Sequence, residues 1–145
     1  MPINNFSIGH DVAVDVTNPL TGKLMTLDSV TGFNAEQQTK EITSEPLNGP
    51  PQFAHAPNGW KGAVDFDRQS ANADIFISQL EANYWAGINT LSGTITETIT
   101  NPDQSISQFK FTGCTFKYGD AGKWKAQEKV PIRLDWTASQ RVQIV

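Results

Sequence analysis

Apolar positions along the 145 residues recur mostly at every second position, and at helical spacing in one stretch only. From His10 to Thr17, Val12, Val14 and Val16 alternate with Asp11, Ala13 and Asp15, the signature of a half-buried strand. Asn18-Pro-Leu-Thr-Gly22 supplies turn residues, and Lys23 to Phe33 resumes as a strand with Leu24, Leu27, Val30 and Phe33 as its apolar points, so the two predict a hairpin. Trp60, Gly62, Val64 and Phe66 share one face of a further strand, opposite Lys61, Ala63, Asp65 and Asp67. The period then changes. Between about Ser70 and Gly87, Ala73, Phe76, Ile77, Leu80 and Tyr84 fall on one helical stripe, with Ser70 or Asn72 as caps, Asp74 in the first turn and Gly87 beyond the end. Trp85 lies beside the stripe, at its edge or against a partner. Alternation returns at Ser92–Thr100, where Thr94, Thr96, Thr98 and Thr100 form a ladder on one face and Ile95, Glu97 and Ile99 the other. Ser105–Tyr118 predicts a long strand with a bulge or close approach at Gly113. Trp124–Thr137 predicts another, with Val130, Ile132, Leu134 and Trp136 inward and Pro131 marking a start, an edge or a bulge; a short apolar strand closes the chain at Arg141–Val145.

The stretch from about Asn34 to Gly59 fits neither period. Asn34–Glu45 is polar on both faces, with Ile42 as its only large apolar residue. It predicts either a loop or a strand whose partner lies on another chain, since a strand polar on both faces has a weakly specified register. Pro46–Gly59, rich in Pro and Gly, is loop by composition. A long extended loop of this length in a compact domain is usually functional. Leu47 and Phe53 within it have no evident local core and could reach a neighbouring subunit. The expected fold class is therefore mainly β, a two-sheet β-sandwich or partial barrel with one flanking α-helix, in one domain spanning residues 1–145.

Composition narrows the functional classes. Only 18% of residues are charged, the net charge is −4, and a basic footprint for gripping nucleic acid is absent. No apolar run approaches a membrane span, and Met1–His10 lacks the features of a secretory leader. Cys114 is the sole cysteine, so an internal disulfide is impossible and a buried structural thiol is expected. His10 and His55 stand far apart, too few with one cysteine for a metal site. Asp65 and Asp67 share a strand face as an acid–base pair might, although a solvated face beside Lys61 is the better explanation. Gly119-Asp-Ala-Gly122-Lys123 has neither the spacing nor the following helix of a phosphate loop. Of the four tryptophans, Trp60 and Trp136 belong to apolar faces, and Trp124, between two lysines, is the plausible exposed aromatic. No catalytic residues, metal or cofactor are expected.

The order of elements, and above all Gly59-Trp-Lys-Gly-Ala-Val-Asp-Phe-Asp-Arg68 followed by Ala73-Asp-Ile-Phe-Ile-Ser-Gln-Leu-Glu-Ala-Asn-Tyr-Trp-Ala-Gly87, resembles the tail tube proteins of tailed bacteriophages, contractile type, whose fold type VI secretion tubes and contractile bacteriocins share. The resemblance implies hexameric rings stacked into a hollow tube that conducts DNA, with sheets of neighbouring subunits joined around the lumen. It implies inter-subunit or inter-ring contacts through Glu41, Ile42, Glu45, Pro46, Leu47, Pro50, Pro51 and Phe53. Thr94, Thr96, Thr98 and Thr100 become candidates for the lumen wall, and Phe76, Ile77, Leu80 and Tyr84 for helix packing. The implied partners are further copies of the chain and the tail sheath, baseplate and tape-measure proteins; the implied location is the virion tail, after assembly in the host cytoplasm. A secretion-type tube and a monomeric carbohydrate- or small-ligand-binding β-sandwich are the competing readings.

Overall fold

The computed structural model describes residues 5–17, 24–25, 29–88 and 92–145. After a single 3-10 turn at Gly9–Asp11 come β1 (Val12–Thr17), β2 (Leu24–Met25), β3 (Ser29–Ser44), β4 (Gln52–Asp67), α1 (Asn72–Trp85), β5 (Gly93–Thr100), β6 (Ile106–Asp120), β7 (Pro131–Ala138) and β8 (Gln140–Gln143). All the strand pairings are antiparallel. The strands follow the order β2-β1-β5-β6-β7-β4-β3, with β8 on β6.

Two sheets share β6. Its first half pairs with β5 on one edge and β8 on the other, while its second half, from Thr115, pairs with β7. The change of partner is made at Gly113, whose φ of +66° suits glycine. An added Cβ there would lie 2.6 Å from Ser139 Oγ, and Ser139 N–H donates to the Thr112 carbonyl, so β6 and the β7–β8 segment bend together. The bulge anticipated from the sequence is this corner. It folds the β2-β1-β5-β6-β8 sheet over the β6-β7-β4-β3 sheet, an unclosed sandwich.

Apolar residues from both inner faces meet between the sheets. Val16, Ile95, Phe111 and Cys114 come from one; Val64, Phe66, Ile132, Leu134 and Trp136 from the other. Phe111 is the hub: its ring lies 4.8 Å from Trp136, 5.8 Å from Trp60 and 6.2 Å from Phe33, and Phe33 stacks on Trp136 at 5.7 Å. Aromatic pairs at such spacings add to the area they bury. Glu97 also points inward. It is held 3.6 Å from Arg141, whose guanidinium lies 3.5 Å over the Phe109 ring, so the one charged pair in this region is sandwiched by aromatics.

The helix is two residues shorter at each end than expected. Ala71, not Ser70 or Asn72, is its N-cap, and it makes no side-chain capping bond. Gly87 has φ +75° and donates to the Tyr84 carbonyl, the role expected of a residue just past the end. Ala73 and Phe76 are buried, Ile77 packs against the core, and Leu80 is half-buried. Tyr84 is 65% exposed, which corrects its assignment to helix packing. The stripe lifts off the sheet after Leu80, and Tyr84 packs edge-on against Trp85 instead. Phe76 meets Phe116 edge-on at 5.5 Å, and Phe116 pairs directly with Trp136, so α1 covers the inner face of the second sheet where the first does not extend. It closes the sandwich at one end.

Two further expectations change. The hairpin expected between His10–Thr17 and Lys23–Phe33 exists only as the short β1–β2 pairing of Val16 with Met25 and Thr17 with Leu24, and β3 belongs to the other sheet. The anticipated turn at Asn18–Gly22 lies outside the described residues. The long extended loop at Asn34–Gly59 is a β-hairpin: Ala35–Ser44 pairs with Gln52–Gly62 of the same chain. The polar strand thus has its own successor as a partner, and turn chemistry is confined to residues 45–51.

Candidate assembly interface

The β3–β4 hairpin is the most conspicuous surface feature. β4 pairs with β7 only from Trp60 to Asp67. Before Trp60, β3 is the only strand paired with β4 among the described residues, so Gln52–Gly59 and the facing part of β3 stand out as a two-stranded arm. At about 3.3 Å per residue, those eight residues of β4 carry the tip roughly 26 Å past the last β7 pairing. Gly59, with φ +90°, marks the departure; a Cβ there would sit 2.8 Å from the Ala138 carbonyl oxygen.

Burial explains why the arm is unusual. Residues 39–55 are all exposed. Leu47 is fully exposed at the tip, Phe53 is 62% exposed and Ile42 52%. Directly opposed residues share a face of a ribbon, so Ile42 lies with Ala54, and Phe53 with Thr43, on opposite faces. Each face therefore presents apolar surface with none of the described residues above it. An isolated two-stranded hairpin is marginal in water. Glu41 and Glu45 flank these residues, and Pro46, Pro50 and Pro51 shape the turn; all five are exposed. The residues suggested by sequence for this surface are thus brought together on one projecting element.

The four threonines sit apart from the arm. β5 lies between β1 and β6, and Thr94, Thr96, Thr98 and Thr100 are half-exposed on its outer face, away from Ile95 and Glu97. Register extends that face sideways: Thr96 is opposite Asp15 and Lys110, and Thr98 is opposite Ala13 and Gln108. Gln108 Nε2 donates to Thr98 Oγ1 at 3.3 Å. The result is a patch of hydroxyls and amides in which Lys110 and Asp15 flank the same threonine, bordered by the exposed Ile106 opposite Thr100 and Val142 opposite Lys110.

Sequence reasoning missed the site that fixes the helix. Arg68 Nε lies 3.0 Å from Asp74 Oδ2, the Tyr118 hydroxyl donates to Asp74 Oδ1, and Arg68 stacks over Trp124 at 5.5 Å. Burial, then the hydrogen bond and charge of Asp74, push the Tyr118 phenol well above its ordinary value. Spacing offered no signal, because Tyr118 lies 44 residues from Asp74. Trp124 is 71% exposed, as its sequence context suggested, and Trp85 is 76% exposed. Among the described residues no three His, Cys, Asp or Glu side chains converge as metal ligands, and no helix is long and apolar enough to cross a membrane. A cleft of about 600 Å³ at the base of the arm, lined by Trp60, Arg141 and Gln143 among others, holds no such cluster.

Comparison with solved structures places this architecture. A chain of the anti-feeding prophage baseplate, symmetrised six-fold, superposes with a TM-score of 0.63 at 7% identity over 98% of this chain and 97% of that one. A chain of the extended sheath–tube complex of an extracellular contractile injection system, PVC, gives 0.60 at 11% over 99% and 94%. The SPP1 tail tube gives 0.60 at 13% over 94% and 78%. This is the tail-tube fold. Near-complete coverage means that arm, corner and helix all belong to it, while identities this low establish the tail-tube fold and no more. No family model matches the sequence, and no curated protein matches it.

Proposed function

We propose that the protein is a structural subunit of the tail tube of a phage-like particle, in which six copies form a ring and rings stack into a hollow tube that conducts DNA. The observation that carries this reading is the arm: two strands with Ile42, Leu47 and Phe53 exposed on both faces and at the tip, covered by none of the described residues of their own chain. Such a surface makes sense when a further copy covers it. Six-fold order is supported by the symmetry of the anti-feeding prophage baseplate. The threonine wall suits a lumen. Phosphate binding depends on cations that displace counterions, and Lys110 is the only one on that wall among the described residues, facing Asp15 across Thr96. At −4 per copy, six copies would carry −24, which disfavours adhesion of a polyanion.

In this reading the protein is not an enzyme and resides in the virion tail, assembled in the host cytoplasm; sheath, baseplate and tape-measure proteins are its partners beyond itself. Electron microscopy of the purified chain, with light scattering across a concentration series, tests it. Rings or tubes about a central pore are expected. A species that stays monomeric at hundreds of micromolar, with or without crowding agents, would overturn it.

A further inference from the structure

Charge is distributed unevenly over the subunit. Between Lys117 and Arg133 the chain has five cations against two anions, a net +3, which leaves −7 on the remainder. Most of this excess sits in the loop 121–130 that joins β6 to β7. Lys123, Lys125 and Lys129 are exposed there, around the exposed Trp124. Lys125 is 3.7 Å from Glu128 and Lys129 3.5 Å from Asp67, both loose surface pairs; Lys123 makes no ion pair among the described residues. At the arm the balance is acidic: Glu41 and Glu45 are exposed beside Leu47 and Phe53 against one exposed cation, Lys40, and neither carboxylate has an ion pair among the described residues.

Strand register fixes where these two surfaces lie. β4 runs from the arm tip at Gln52 to Asp67, Asp67 pairs with Pro131 at the start of β7, and Asp120 pairs with Arg133 at the end of β6. The basic loop is therefore at the end of the second sheet opposite the arm tip. One end of the strand axis carries acid and unpartnered aliphatic and aromatic side chains; the other carries base and an exposed indole.

We infer that the arm tip of one copy seats on the β6–β7 loop of a second copy, in a head-to-tail contact along the strand axis in which Leu47 and Phe53 pack on Trp124 while Glu41 and Glu45 face Lys123 and Lys125. The contact is heterologous, so it cannot close on itself as a two-fold dimer and instead propagates. It gives the assembly a direction, because two arm tips repel and two basic loops repel. Opposite charge steers such an encounter and fixes its register, and like charge in its place weakens the contact. This inference rests on the tube reading above and names the acceptor of the arm in it.

The test uses the full chain. Wild type, Lys123→Glu/Lys125→Glu, Glu41→Lys/Glu45→Lys and the four-fold combination are compared by light scattering and electron microscopy at about 50 and 500 mM salt. Each charge-reversed pair is expected to raise the concentration needed for polymer by about tenfold at low salt, the combination to recover most of that loss, and the difference to shrink at high salt as screening shortens to a few ångströms. Reversed variants that polymerise like wild type, or a combination that recovers nothing, would overturn the contact. A wild type that never polymerises would instead remove the tube reading. A second measurement does not depend on tolerance of charge changes: Leu47→Cys/Lys123→Cys, oxidised within polymer, should give a ladder of covalent oligomers on a denaturing gel. Because the two positions lie at opposite ends of one subunit, an unlinked monomer band from well-formed polymer counts against the inference.

Discussion

At the scale of single residues, long-range polar contacts tie the helix to the sheet. Tyr118 reaches Asp74 from β6, and Asp74 also receives Arg68 from the end of β4, so three elements meet on one carboxylate. Tyr118→Phe keeps the ring and removes the donor; the expected loss is about 1 kcal/mol in urea unfolding, typical of one hydrogen bond to a charged acceptor that keeps another partner. The same variant should remove the late phase of an alkaline absorbance titration, because the wild-type phenol ionises only well above its ordinary range. Cys114 provides a second measurement. It is fully buried, its Sγ lies 3.2 Å from the Phe111 carbonyl, and desolvation pushes the thiol from 9.0 up to about 11. A raised acid pKa means the folded state holds its proton longer. Its contribution to stability is complete below pH 9 and declines as pH rises from 9 towards 11. A disulfide reagent at pH 8 should leave the native protein unlabelled and label one thiol per chain in denaturant; rapid native labelling would show that the core between the sheets opens. Burial of this thiol was legible from one cysteine within a strand, whereas the Asp74 junction was not, since nothing local in a sequence pairs residues so far apart.

At the scale of elements, period-two patterning located most strands because each has one face against the core. Val64, Phe66, Ile132, Leu134 and Trp136 were all identified by alternation, and all are buried. The arm failed for a physical reason: both its faces are exposed, so no alternation exists to record its strands, and its Pro and Gly content imitates a loop. Only the ladder of backbone bonds from Ala35–Gly62 to Ser44–Gln52 reveals it. Where the ribbon joins the body, Gly62 is indispensable. A Cβ there would lie 2.0 Å from the Asn34 carbonyl oxygen and 2.8 Å from Trp136, and the Asn34 side chain accepts from the Ala63 N–H at 2.8 Å. Gly62→Ala should therefore destabilise the subunit by about 2–3 kcal/mol in chemical denaturation, the scale of overpacking against parts that cannot yield. Ile42→Ser/Phe53→Ser should behave oppositely, shifting subunit stability by no more than about 0.5 kcal/mol, as for other exposed positions, while abolishing polymer seen by electron microscopy. A large loss of subunit stability in that pair would mean that the arm folds back on its own body.

At the scale of the whole molecule, the two sheets carry different surface features, to which the proposed tube would give different tasks. The face built on β5 offers Thr96 and Thr98 between Ala13, Asp15, Gln108 and Lys110, with one charge of each sign. The arm and the β6–β7 loop, which carry Glu41, Glu45 and Lys123 and the exposed Leu47, Phe53 and Trp124, belong to the other sheet. Assembly and transport surfaces would then be separated by the core, so changes to one need not disturb the other. Thr96→Arg/Thr98→Arg tests this separation. Both side chains are half-exposed on the outer face, so the variant should fold and polymerise as wild type does. Two added guanidinium groups per copy along a pore would, however, convert an indifferent wall into one that exchanges counterions with phosphate. Polymer of the variant should retain short single- or double-stranded DNA at low salt and release it as salt rises, with a steep log–log slope, while wild-type polymer retains none. If the variant polymer ignores DNA although its tubes are open, the threonine face does not line the pore. If the variant fails to polymerise although its subunit melts normally, the face is instead a contact between copies.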